Sequence, residues 1–360
     1  MSMSFKIGSI PIGEQHPPFI IAEMSGNHNQ SIEKALQIVD AAAEAGAHAI
    51  KLQTYTADTI TLDVKGGEFE INDPKSPWAG RNLHDLYNEA STPWDWHARI
   101  MERAKEKGLI CFSSPFDETA VDFLETLDVP AYKIASFENN HLPLIRKVAS
   151  TGKPLIISTG MATLQEIKEA VEAARQGGCK NLCLLKCTST YPATPKNSNV
   201  TTIKDLRAQF GCEAGLSDHT MGVGVAVAAV AHGASIVEKH FTLNRADGGV
   251  DSSFSLEPDE MRSLVVETKR AWESLGSPTY GPTAAEQKSL MFRRSIYISE
   301  DIKLGTTLSE ETLRIVRPSL GLHPRHLEEL IGKRVTRDVK RGEPANWDFI
   351  ESETTATDSE

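Results

Sequence analysis

The sequence predicts an α/β chain: a parallel (β/α)8 barrel of the TIM type, followed by a small separate domain of short strands and turns. Three observations carry that prediction. Eight short apolar runs alternate with longer amphipathic ones, no GxGxxG fingerprint follows the first run, and the alternation stops at a turn-rich stretch that begins at Gly276. Eight strand–helix units suit a closed barrel better than an open doubly wound sheet, and the missing glycine fingerprint disfavours a dinucleotide fold.

In order, the strands are FIIAEM (19–24), AIKLQT (49–54), LICFSS (109–114), AYKIAS (131–136), LIISTG (155–160), NLCLLKCTS (181–189), EAGLSDH (213–219) and SIVEKHFT (235–242). Helical patterns lie between them. SIEKALQIVDAAAEAG has Ser31 to cap it and Gly46 to stop it, and LQEIKEAVEAARQGG ends in the same way. The connection after the second strand is long, and its segment WAGRNLHDLYNEASTPWDWH (78–97) mixes charges, aromatics and a proline, as loops over a barrel mouth do when they hold substrate. The expected organisation is a barrel over residues 1–275, a linker over 276–294, a small domain over 295–351 and a disordered acidic tail over 352–360.

Composition limits the function classes. A chain of 360 residues with 40% hydrophobic residues can bury a large core. Its formal charge of −11, from 49 acidic and 38 basic residues, argues against a nucleic-acid footprint and requires any anionic substrate to find a local basic pocket. No signal-like N-terminus and no bilayer-length apolar run is present, so no membrane partner and a cytoplasmic setting are expected. Five cysteines at irregular spacing read as reduced, mostly buried thiols, because a zinc site on Cys183 and Cys187 has no second pair to complete it.

Polar residues gather where each strand ends, which in a parallel barrel is the face that carries the chemistry. Glu23, Asn27 and His28 follow the first strand; Lys51 and Gln53 end the second, Ser113 and Ser114 the third. Then come Lys133, Ser136 and Glu138; Ser158 and Thr159; Lys186, Thr188 and Tyr191; Ser217 and His219; Glu238 and His240. Period-two alternation puts Lys51 with Gln53, Ser217 with His219, and Glu238 with His240 on shared faces. Buried polar groups are costly unless paired or used. His219 and His240, ending neighbouring strands, could meet one divalent cation and leave its other positions open. Lys51, Lys133 and Lys186 with nearby hydroxyls could bind a phosphate, while a Schiff base on one lysine is the competing chemistry.

The chain resembles the sialic acid synthase family, most closely its pseudaminic acid synthase branch. The resemblance rests on IKLQTY, FSSPFD, YKIAS, ISTGMAT, CTSTYPA, GLSDHT and EKHFTL, and on a C-terminal segment similar to the antifreeze-like, or SAF, domain. AEMSGNHN, SFENNHLPLI and ADGGVDSSFSLEP carry the branch resemblance. It implies condensation of phosphoenolpyruvate with an open-chain N-acetylated amino sugar, here 2,4-diacetamido-2,4,6-trideoxy-altrose, to give a nine-carbon α-keto acid and phosphate. Neuraminate or legionaminate synthesis is the alternative with the same chemistry. Carried over motif by motif, Lys51, Ser114, Lys133, Ser136, Ser158 and Ser217 would hold phosphoenolpyruvate. Gln53, Asn82, Tyr191 and Asp251 would contact the sugar, together with Arg317 from the small domain of a partner in a domain-swapped homodimer. His219 and His240 would hold manganese or magnesium, and Glu23 and Glu138 are the candidate acid/base carboxylates. A Schiff-base keto-acid aldolase and a non-catalytic carbohydrate-binding protein are the rival functions.

Overall fold

A computed structural model describes residues 4–351; the tail expected at 352–360 lies outside the described residues. The chain divides into two compact units after Gly276.

The first unit is a closed eight-stranded parallel barrel. Its strands are Phe19–Glu23, Ala49–Thr54, Ile110–Pro115, Tyr132–Ile134, Leu155–Ser158, Leu182–Cys187, Glu213–Asp218 and Ile236–His240, and the last pairs with the first. The strands are nearly continuous hydrophobic runs because helices cover their outer face while side chains fill the interior. Ile20, Ile50, Ile134, Ile156, Leu184, Ala214 and Val237 are all effectively inaccessible to solvent.

Local signals set the helices. Helix Ile32–Glu44 starts at Ser31, whose hydroxyl accepts from Lys34 N, and the chain turns away at Gly46 with φ +86°. Helix Leu164–Gln176 starts with a reciprocal capping box between Thr163 and Glu166. An antiparallel hairpin, Phe5–Ile7 with Ile10–Ile12, precedes the barrel and packs Phe5, Ile7 and Ile12 into its core. The alternation in FKIGSIPI carries that hairpin, although it stands outside the eight strands expected from the sequence. All five cysteines are free and buried. Among the described residues, no helix is long and apolar enough to cross a membrane.

The second unit pairs strands Ser295–Ile298 and Leu313–Val316 around a small core that includes Ile296, Ile302, Leu330, Val335, Val339 and Phe349. The expected linker is not featureless. Residues Ala284–Phe292 form 3-10 turns whose end is tied to the small unit, Ser319 donating to Leu290 O at 2.8 Å and to Met291 O at 3.0 Å.

Candidate active site

The carboxyl ends of the barrel strands open into a cavity of about 670 Å³. Strand residues make its floor. The register sets Glu23 between His240 and Lys51, Gln53 beside Ser114, and Ser217 between Cys187 and Glu238. Lys51 is ion-paired with Glu23 and donates to Ser114 Oγ at 3.1 Å. Lys133 donates to Ser158 Oγ at 2.7 Å and stands 3.5 Å from Glu238, which also accepts from Ser217 Oγ at 3.3 Å. Gln53 donates to Glu23 at 2.8 Å.

The charges are poised for an anion. Burial raises Glu23 to about 7 against the pull of Lys51, with Glu238 adding to the rise. Burial likewise raises Glu138 to about 7 against Lys133 and Lys51. Glu238 goes the other way: burial alone would raise it, but Lys133 and Lys51 hold it ionised. Lys51 and Lys133 face Glu23 and Glu238 across the floor, and each proton that Glu23 or Glu138 takes up near neutrality moves the balance toward positive where an anion would lie.

His219 and His240 end adjacent strands, with ring centroids 5.3 Å apart. His219 Nδ1 lies 3.0 Å from Thr188 O, and because a carbonyl only accepts, Nδ1 carries the proton and Nε2 keeps a lone pair. Burial lowers His219, but Cys187 and the Thr188 carbonyl more than offset it, so a cation at Nε2 competes with a proton there. His240 is held well below the usual imidazole range by burial and neighbouring positive charge, and its Nδ1 has no hydrogen-bond partner, the nearest carboxylate being Asp251 at 3.6 Å. Two lone pairs at one mouth, one of them unmatched, fit a divalent cation. Among the described residues there is no cluster of three or more protein ligands, so the remaining positions fall to substrate or water.

On the far side of the same strands, Lys239 donates to Asp218 at 2.8 Å, Thr220 O at 2.6 Å and Gly222 O at 2.9 Å, and all three donors are used. This buried clamp ties the residues next to His219 and His240 together. Lys239→Met should cost about 3–5 kcal/mol of unfolding free energy, because Asp218 is left a buried charge without its counter-ion, holding only the Thr220 N–H. Denaturant titration checks this, and a loss below about 1 kcal/mol would mean that water already solvates the pair.

Ser136 and Glu138 sit on one 3-10 turn after the fourth strand, and Ser136 Oγ and Glu138 Oε2 are buried without partners. Gly160 lets the next loop approach, since a Cβ there would collide with Ser136 and Ser189. Asp251 enters from the loop after the last strand, held by Ser25, and burial raises its carboxyl. Tyr191 stacks obliquely on His219 at 4.5 Å.

The structure thus gathers Glu23, Lys51, Gln53, Ser114, Lys133, Ser136, Glu138, Ser158, Tyr191, Ser217, His219, His240 and Asp251 in and under one cavity. Three of the residues expected at the mouth lie off the cavity lining. Asn82 does not line the cavity: its Oδ1 caps helix Leu83–Ala90 and its Nδ2 donates to Val64 O at 2.7 Å. Lys186 is outside it too, because alternation gives the inner face to Cys187 and leaves the Lys186 ammonium on Cys187 O and Thr188 Oγ1. Ser113 turns to Thr54 at 2.6 Å, within a buried chain that continues to His97. Arg317 belongs to the small unit, directly after strand Leu313–Val316. Sequence reasoning missed Ser25, Tyr55, Trp78 and Tyr87 as lining residues and gave no role to Glu238. Trp78 bonds to Val250 O at 2.8 Å and was within the loop segment singled out, so its aromatic density was the available signal.

A sequence profile of the NeuB family matches residues 38–280, and one of the SAF domain matches residues 293–351. The pseudaminic acid synthase of Campylobacter jejuni is 44% identical over 90% of this chain and 94% of its own length. The N,N'-diacetyllegionaminic acid synthase of Legionella pneumophila is 35% identical over 98% of this chain and 100% of its own. Among solved structures, the N-acetylneuraminic acid synthetase of Leptospira borgpetersenii, in complex with citrate, superposes with a TM-score of 0.71 at 33% identity, over 81% of this chain and 96% of that one.

Proposed function

This chain belongs to the NeuB family, and from its cavity we propose that it joins phosphoenolpyruvate to 2,4-diacetamido-2,4,6-trideoxy-altrose to make pseudaminic acid and phosphate. The observation that carries the reaction is the floor, where Lys51 and Lys133, each backed by a serine hydroxyl, lie beside two imidazoles and a free carboxylate oxygen. The similarity to the Campylobacter jejuni enzyme supports the choice of sugar.

Lys51 and Lys133, with Ser114, Ser136, Ser158 and Ser217, hold the phosphate and carboxylate and offset the charge that builds on the leaving phosphate. Gln53, Tyr191 and Asp251 orient the sugar so that its aldehyde carbon faces C3 of the enol. A divalent cation, manganese or magnesium, on His219 and His240 supplies Lewis acidity toward the aldehyde oxygen when bound. As the C–C bond forms, C2 becomes electron-poor and water adds to it. Glu138 takes the water's proton and passes it to the new alkoxide; the water's second proton leaves with phosphate when the C–O bond breaks and the C2 carbonyl forms. Glu138 suits that work better than Glu23, because Glu23 is already engaged by Lys51 and Gln53 while Glu138 Oε2 meets no donor.

Arg317 reaches the sugar end from a partner's small domain in a homodimer, an arrangement that rests on resemblance to the family. Five unpaired thiols fit a reducing cytoplasm.

Phosphate release from phosphoenolpyruvate, measured with a panel of the 6-deoxy di-N-acetylated altrose, its legionaminate-type stereoisomer and N-acetylmannosamine, tests this function. The altrose derivative should give the highest kcat/KM. A preference for either other sugar reassigns the product, and borohydride trapping of a pyruvyl–lysine adduct would replace the mechanism with a Schiff base.

A further inference from the structure

The cavity has two chemically different sides. Beyond the strand residues of the charged floor, the long loop after the second strand and the end of the third strand present Tyr55, Ile60, Ile71, Leu83, Leu86 and Phe116 to the cavity. This wall is built. The Tyr55 and Phe116 rings meet edge to face with centroids 5.0 Å apart, and Leu86 is 6% exposed on a helix capped by Asn82. Ile71 is fixed by backbone bonds from Ile71 N to Arg81 O at 2.9 Å and from Gly80 N to Ile71 O at 2.7 Å. Apolar carbon facing an open cavity costs free energy in proportion to its wet area, about 25 cal/mol per Å², and a ligand that covers it recovers that cost.

We propose that this wall is a specificity surface that takes the methyl end, C6, of a 6-deoxy hexose; the inference rests on the sugar condensation proposed above. With the aldehyde carbon at the imidazoles and the enol phosphate between the lysines, an open-chain sugar has to run its far end from the floor toward the loop. A terminal methyl there lays carbon on carbon. A hydroxymethyl group surrenders hydrogen bonds to water and meets only one polar side-chain atom among those six residues, the Tyr55 hydroxyl. Asp73 and Ser76 also line the cavity from this loop and are the groups through which a C6 hydroxyl could be held instead. An apolar surface rejects an added hydroxyl by a factor of about 10² at most, so the discrimination is graded.

The test compares kcat/KM, by phosphate release from the full-length enzyme, for the 6-deoxy di-N-acetylated sugar and its 6-hydroxy counterpart of the same stereochemistry. The 6-deoxy sugar should win by about 10–100-fold. Ile71→Asn and Ile60→Asn should each shrink that ratio several-fold, while the KM for phosphoenolpyruvate stays unchanged because both residues lie on the long loop and not on the strands that carry the floor. Equal kcat/KM for the two sugars in the unmodified enzyme overturns the proposal while leaving the condensation intact. So does an unchanged ratio in both variants. Phosphate release with neither sugar overturns the condensation itself.

Discussion

Exhaustive chelation, or replacement of either His219 or His240 by alanine, is expected to lower phosphate release by about three powers of ten or more. The expectation follows from the geometry of the two rings. His219 Nδ1–H is committed to the Thr188 carbonyl, which fixes the tautomer, and the Nδ1 of His240 is buried and unmatched. If His219 and His240 are the cation's protein ligands, as proposed, loss of one should also weaken binding of Mn²⁺, read directly by its EPR signal in solution, by about 10–100-fold. Restoration of activity in the chelated enzyme by Mn²⁺ or Mg²⁺ would show that chelation removed a cation and did not damage the fold. Activity that survives exhaustive chelation eliminates the cation's role and leaves the imidazoles as hydrogen-bond donors alone.

Glu138→Gln should lower kcat by about 10²–10⁴ while the affinity for phosphoenolpyruvate stays within about two-fold. The glutamine keeps the volume and polarity but cannot take a proton. The sign of the pH effect follows from the raised carboxyl: a base works when deprotonated, so activity falls as pH drops below about 7. That acid limb should flatten in Glu138→Gln. Glu23→Gln should behave differently, because it strips Lys51 of its ion-pair partner and disturbs the floor itself, so the KM for phosphoenolpyruvate should change together with kcat. If Glu138→Gln turns over normally and Glu23→Gln does not, the base is Glu23.

Much of the site was legible because a parallel barrel turns one-dimensional position into three-dimensional place. Glu23, Lys51, Lys133, Ser217 and His240 could be assigned to one mouth from strand position alone, since every strand ends on the same face. The alternation rule then separated inward from outward residues only where the strand register was known. Lys186 and Ser113 show the limit. Each is one residue from a side chain on the inward face, Cys187 beside Ser217 or Ser114 beside Gln53, and a one-residue offset sends a side chain to the opposite face. Asn82 shows another limit: its position in NLHDLY fits a helix cap as well as a sugar contact, and the sequence alone does not display the cap that its Oδ1 makes.

By itself, then, the order of residues determined the eight strand–helix units, the change of architecture after Gly276 and the polar character of the strand ends, because these depend on local periodicity and on turn chemistry. Tertiary structure alone decided that Glu138 Oε2 is free, which lysine meets which carboxylate, and that the long loop supplies apolar lining to the cavity. Those properties arise from burial and from contacts between residues far apart in the chain, as when Asp251 meets Ser25 or Lys133 meets Glu238, and no local pattern encodes them.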